Sequence, residues 1–286
     1  MKRYIKAIML LSLILIFLSN VSCSSGSNIS NNMKSAEKTS YEDLSKYFAG
    51  YDGCFVLFNQ NENKYTIYNE AKIKKQLSPC STFKIINSLI GLETKVLTDE
   101  STTFKWDSSK HYSNAWSKAP NSTEQLYDDK TLKSATANDV VWYFQELASR
   151  IGQERMQEYL SKINYGNTDT SGGLTNFWLQ SSLKISPKEQ IDILKKLYNY
   201  ELPFEKRNVD IVKGLFNLSD QNDVVLFGKT GTGGDNKGYI NGWFIGYVEK
   251  GKNVYFFATN IEAENDASGP KAKEITLKIL KDKNLY

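Results

Sequence analysis

The chain has 286 residues, of which 40% are hydrophobic and 13% aromatic, with a formal net charge of +4. That is long and apolar enough to fold as an enzyme-sized unit with a sizeable core. Much of the basic excess is Lys2, Arg3 and Lys6 at the N-terminus, so the remainder is near neutral and points away from nucleic acid as a partner.

Those basic residues precede an apolar run from Ala7 to Leu18, too short to span a bilayer comfortably and suited to the h-region of a signal peptide over residues 1–22. Cys23 follows the small Ser22 and opens a polar tether, which resembles a bacterial lipoprotein processing site, although Asn20 stands where such sites carry an aliphatic residue. Two outcomes stay open: lipidation at Cys23, which anchors an exported protein on the outer side of the cytoplasmic membrane, or cleavage and release. Residues 23–40, rich in Ser, Asn and Lys without apolar periodicity, read as a flexible linker, and residues 41–286 as one folded domain.

Within that domain, Cys54 to Phe58 and Lys64 to Tyr68 read as a strand hairpin around Asn59 to Asn63. Ile85 to Leu92 is an apolar helix, Val140 to Leu147 a helix apolar nearly all round, and Ser186 to Tyr200 an amphipathic helix with a Ser-Pro start. Val224 to Phe227, Trp243 to Val248 and Val254 to Asn260 read as three strands, and Lys271 to Leu280 as a closing helix. Strands at both ends with helices between predict an α+β fold: an antiparallel sheet completed by both termini and flanked by helices, with a helical lobe beside it. Cys54 and Cys80 either pair as a disulfide or remain two buried thiols, the reading we prefer.

The chemistry narrows by elimination. No CxxC or paired-His pattern occurs, so a zinc site of ordinary spacing is not expected. The single histidine, His111, lies in a polar stretch, Asp107 to Tyr112; if exposed, it cannot complete a Ser-His-Asp triad, and a lysine or carboxylate must activate any nucleophile. Ser-x-x-Lys is then the pattern to find. It occurs at Ser35, Ser81, Ser181 and Ser268, but only Ser81-Thr82-Phe83-Lys84 follows a proline, Pro79, and opens an apolar helix. At that spacing both side chains share one helix face, next to free N–H groups and a positive dipole end suited to an oxyanion. The alternative is an N-capping serine beside a solvated lysine. Lys229-Thr230-Gly231-Thr232-Gly233 follows a strand; a phosphate loop would need glycine at Asp223 and a helix afterwards.

Pro79 to Ile85, Tyr165-Gly166-Asn167, Phe177-Trp178-Leu179, and Lys229-Thr230-Gly231 followed by Gly242 to Tyr247 resemble, in order and separation, the motifs of class D serine β-lactamases. Ser-x-x-Lys and Lys-Thr-Gly alone give the wider superfamily with penicillin-binding proteins. The resemblance implies the penicillin-recognising serine β-lactamase/transpeptidase-like fold, a β-lactam as small-molecule substrate and no metal. It implies Ser81 as nucleophile and the N–H groups of Ser81 and Thr232 as the oxyanion hole. Lys84 would be carboxylated by CO2 or bicarbonate to act as general base, with Trp178 holding that carbamate through its indole N–H. Phe83, Val141 and Trp178 would lower the Lys84 pKa. Lys229 would place positive charge beside the nucleophile, with Thr230, Gly231 and Thr232 binding the substrate carboxylate, and Tyr165-Gly166-Asn167 would form a wall of the site.

Two positions depart from the family pattern. The second motif, Ser-x-Val, aligns with Asp139-Val140-Val141, so Asp139 replaces the serine that helps relay a proton to the leaving nitrogen. An Asp139 carboxylate can accept the Lys229 charge, but it repels an anionic carbamate. The arginine that commonly anchors the substrate carboxylate is missing near Ser268 to Lys273, leaving Lys271 as the candidate, a point charge without the bidentate fork. Other functions compatible with these motifs are a transpeptidase, a β-lactam sensor that acylates and stops, and a wall-binding module with no covalent chemistry.

Overall fold

The computed structural model describes residues 36–110, 128–221, 223–235 and 237–286. The expectations for residues 1–22, Cys23, Ser35 and His111 lie outside these. In chain order the elements are β1 (Lys38–Tyr41), β2 (Asp52–Asn59), β3 (Lys64–Tyr68), α1 (Glu70–Ile73), α2 (Lys84–Glu93), β4 (Thr103–Phe104), β5 (Lys130–Thr131), α3 (Leu132–Ala137), α4 (Val141–Ile151), α5 (Gln153–Ile163), α6 (Pro187–Tyr198), α7 (Lys206–Leu215), β6 (Asn217–Gln221), β7 (Val224–Asp235), β8 (Gly238–Lys250), β9 (Asn253–Glu262), β10 (Asp266–Ala267) and α8 (Gly269–Asp282).

The main sheet runs β1-β3-β2-β9-β8-β7-β6, so the N-terminal hairpin and the C-terminal strands meet where β2 pairs antiparallel with β9. The sheet is mixed rather than purely antiparallel, because β1 lies parallel to β3 and β10 parallel to β8. The folded unit also begins earlier than the linker reading placed it: Lys38, Thr39 and Ser40 pair with Lys64, Tyr65 and Thr66. A polar segment can add to a sheet edge through backbone hydrogen bonds alone, which no apolar pattern announces.

Alternation along the central strands divides the interior in two. Cys54, Val56 and Phe58 of β2, Trp243, Ile245 and Tyr247 of β8, and Phe256 and Ala258 of β9 enter the large core shared with α2, α4, α5, α6 and α7. Phe55 and Leu57, Phe244 and Val248, and Phe257 and Ile261 face the opposite way, onto Ala272, Ile275 and Ile279 of α8. Covered on both sides, these strands read as near-continuous apolar runs. Helix α6 starts with a capping box in which Ser186 and Glu189 satisfy each other's backbone N–H groups. Helix α4 is buried from Trp142 to Ala148, as its all-round apolar sequence implies. Cys54 and Cys80 are both buried free thiols.

The stretch between α5 and α6 carries Trp178 and is fastened at its ends. Asn167 accepts from Lys184 N at 2.9 Å and donates to Ser182 O at 2.9 Å. Gly166, at φ +53°, lies so close that an added Cβ would sit 1.9 Å from Lys184 O. Gly166→Ala is therefore expected to destabilise the fold by about 2–4 kcal/mol, seen as a lower urea midpoint.

Candidate active site

The Ser81 turn is built before the helix it enters. Residues Cys80–Phe83 form a 3-10 turn running into α2, and Cys80 has φ +50°, a conformation costly for a residue with a Cβ. That conformation is held from outside: Trp178 O accepts from both Cys80 N and Ser78 Oγ at 3.0 Å, and Trp243 Nε1 donates to Ser78 O at 2.9 Å. No side-chain cap bond closes the start of this turn. Ser268, another Ser-x-x-Lys serine, does cap its helix, accepting from Lys271 N at 3.4 Å. The capping alternative thus describes Ser268 and not Ser81, whose hydroxyl stays available in a nearly closed site.

One turn further on, Lys84 has no exposure at all. Its Nζ donates to Asp139 O at 2.9 Å, ion-pairs with Asp139 Oδ1, and sits 5.1 Å from the centroid of the Phe144 ring. Burial lowers the Lys84 amine to about 8, with the nearby Lys229 charge adding to the effect and Asp139 opposing it. Phe144 is a contact that sequence reasoning missed; its place on α4, three residues after Val141, was the available signal. Val141 itself is the first residue of α4.

Asp139 occupies the junction of α3 and α4. Val140 N bonds back to Ala135 O at 2.9 Å, and Asp139 takes φ +54°, the left-handed step that ends many helices and that Asp adopts more readily than most residues. The turn aims a half-exposed carboxylate between two buried amines, because Oδ1 also lies 3.1 Å from Lys229 Nζ. Burial pushes the Asp139 carboxyl upward, but Lys229 and Lys84 outweigh it and hold it below its ordinary value. Lys229 additionally donates to Thr230 O at 2.8 Å.

The Lys-Thr-Gly segment lies inside β7, directly against the Ser81 turn. A Cβ on Gly231 would be 2.9 Å from Pro79 O, so glycine sets this approach. Thr232 Oγ1 accepts from Gly269 N at 2.9 Å, which ties the end of the segment to the N-terminus of α8. Lys271, on the first turn of α8, is 3.4 Å from Glu274, so its charge is partly met on its own helix. Trp178 is fully buried, packs on Phe83 and Phe177 with centroids 5.5 and 5.0 Å apart, and its Nε1 has no hydrogen-bond acceptor. Tyr165 is buried and packs edge-on against Phe83, with centroids 5.6 Å apart. Among the described residues, no three His, Cys, Asp or Glu side chains group to hold a metal ion.

This serine, two buried lysines and Lys-Thr-Gly strand sit on a scaffold that other proteins share. A family model described as penicillin binding protein transpeptidase domain matches residues 53–281. The probable beta-lactamase YbxI of Bacillus subtilis is 41% identical over 234 residues, covering 82% of each protein. The solved structure of class D beta-lactamase BAT-2 superposes with a TM-score of 0.76 at 40% identity, covering 86% of this chain and 97% of that one. The chain belongs to the class D β-lactamase family. The same fold also serves regulatory relatives of the class D enzymes: regulatory protein BlaR1 of Bacillus licheniformis is 41% identical over 248 residues, covering 86% of this chain. The chain spans only 39% of BlaR1's length.

A lysine that binds its proton less tightly when folded adds stability as pH rises from its folded to its unfolded value, because the unfolded chain then holds more protons. The wild-type protein should therefore gain stability relative to Lys84→Met between about pH 8 and pH 10.5. Urea denaturation of the two proteins across that window measures the difference.

Proposed function

We propose that this chain hydrolyses β-lactams through an acyl-enzyme on Ser81. The observation that carries this is the meeting of Lys84 and Lys229 on the Asp139 carboxylate, with the uncapped Ser81 turn one helical turn before Lys84 and packed against Gly231 of the Lys-Thr-Gly strand. Ser81 Oγ adds to the lactam carbonyl carbon, the carbon–nitrogen bond breaks, and the hydroxyl proton ends on the departing nitrogen. Water then adds to the ester, releasing the ring-opened acid and returning a proton to Ser81 Oγ. The N–H groups of Ser81 and Thr232 stabilise the oxyanion in both steps. Thr230, Thr232 and Lys271 bind the substrate carboxylate, and Lys229 with Asp139 carries a proton toward the leaving nitrogen.

The residues fit a carbamate on Lys84, since the amine is buried and lowered to about 8 while Trp178 Nε1 is a buried donor without an acceptor. Formed with CO2, that group would supply an anionic general base, held by Trp178. Asp139 works against it by offering Lys84 an ion pair. This observation favours a second reading, a sensor-like domain that is acylated and clears slowly, and the 41% identity to BlaR1 supports it. Residues 1–22 are proposed to direct export and Cys23 to carry a lipid anchor.

Mass spectrometry of the mature protein mixed with benzylpenicillin separates these readings. The expected result is an adduct that is absent in Ser81→Ala and clears during the measurement; a Ser81 adduct that persists for hours would establish the sensor-like reading. The intact mass before penicillin is expected to show a diacylglyceryl group on Cys23, and an unmodified mature N-terminus would remove the anchor. In a separate experiment, Asp139→Ser should raise the 13C label that Lys84 takes up from a given concentration of labelled bicarbonate by roughly tenfold, the worth of about one pK unit of like-charge repulsion. Unchanged labelling by carbon-13 NMR would show that Asp139 does not compete.

A further inference from the structure

We propose that Asn241 is a positioning residue that sets the Ser81 turn against the Thr232 end of β7. The proposal rests on Ser81 as nucleophile and holds whether or not the adduct clears.

Asn241 is nearly fully buried on β8, where a carboxamide is costly unless it is hydrogen-bonded. Its Nδ2 donates to Ser78 O and to Gln180 Oε1, both at 3.0 Å. Its Oδ1 accepts from Nδ2 of Asn260, a buried residue on β9, at 2.8 Å. One side chain therefore joins the segment leading into Ser81, the segment following Trp178, and two central strands. Asn241 also pairs in register with Gly233, the neighbour of Thr232. On that side the Gln180 side chain lies so close that a Cβ on Gly233 would be 2.4 Å from its Cδ.

The two N–H groups expected to receive the oxyanion come from different parts of the chain, Ser81 at the start of α2 and Thr232 on β7. Their separation must be fixed to within a fraction of an ångström for both to act on one oxygen. Cys80 holds a left-handed conformation between Ser78 and Ser81, so slack at Ser78 O reaches Ser81 directly. Asn241 removes that slack, and Asn260 orients Asn241.

The partners are doubly held, so losing Asn241 loosens the site without dismantling it. Ser78 O keeps Trp243 Nε1 at 2.9 Å, and Asn260 Nδ2 keeps Gly242 O at 3.2 Å. Gln180 Oε1 keeps only the weak Cys80 thiol at 3.5 Å.

The test compares wild type with Asn241→Leu and Gln180→Ala, using benzylpenicillin labelled with 13C at the lactam carbonyl. Quenched-flow mass spectrometry reads the Ser81 acylation rate, infrared spectroscopy reads the ester carbonyl, and hydrogen exchange without penicillin reads residues 78–83. Asn241→Leu is expected to slow acylation at saturating penicillin by roughly tenfold or more, the scale of one lost hydrogen bond. Half-saturation should stay within about twofold, because substrate contacts are untouched. The carbonyl band should shift to higher wavenumber and exchange in the turn should rise. Gln180→Ala, which alters a partly buried side chain and leaves the Ser78 bond in place, should move each readout the same way by less; it keeps the test valid should Asn241→Leu fail to fold. Wild-type acylation, carbonyl band and turn exchange in the variants, with only a lower melting temperature, would overturn the proposal. A wild-type protein that forms no Ser81 adduct would instead overturn the nucleophile reading, and turn exchange would still decide whether Asn241 positions residues 78–83.

Discussion

The site is organised around the burial of a lysine amine. Taking an ammonium out of water costs several kcal/mol unless a partner compensates it, and Lys84 has no exposure and an aromatic ring on one side. The compensation arrives from one direction, through the carbonyl and carboxylate of Asp139. Both groups point inward because α3 ends in a left-handed turn at that residue. A second buried amine, Lys229, uses the same carboxylate, so the helical lobe and the sheet are joined at a shared charge as well as by packing.

The scaffold makes this junction rigid. The central strands are covered on both faces, which leaves little freedom for β7 to move relative to α2. Gly231 lets β7 approach Pro79 at backbone distance, and the stretch carrying Trp178 is fastened to Ser78 and Cys80. Backbone strain at Cys80 and Asp139 is tolerated because neighbouring elements over-determine both positions.

Much of this was legible in the sequence, but unevenly. The hairpin β2–β3, the strands β7 to β9 and helices α4, α6 and α8 follow from periodicity and caps, because burial on a sheet or helix face leaves that trace. Strand β1 did not, since a polar edge strand is specified by backbone bonds. Ser81, Lys84, Lys229 and Trp178 were singled out through motifs; the structure joins Lys84 and Lys229 at Asp139 and bonds the Trp178 carbonyl to Cys80 N, beside Ser81. Phe144, Gln180 and Asn241 were missed for different reasons. Phe144 looks like any core aromatic, and Gln180 and Asn241 act through carboxamides whose partners are distant in sequence. Asn241 stands immediately before the Gly242-Trp243 motif, yet nothing in the order of residues shows that its side chain turns toward Ser78.

The substitution at Asp139 changes the charge balance of the site in a way that bears on both binding and turnover. With Lys84 as an ammonium, Lys84, Lys229 and Asp139 together carry one net positive charge, which favours the anionic carboxylate of a β-lactam. A carbamate on Lys84 would make the same three groups net negative, whereas with serine in place of Asp139 the site would then be neutral. Binding an anionic substrate and holding an anionic base are therefore opposed in this chain more strongly than in a relative with serine. The Asp139 side chain is half exposed, so solvent screens part of the conflict. The Asp139 ion pair therefore holds Lys84 between these two demands.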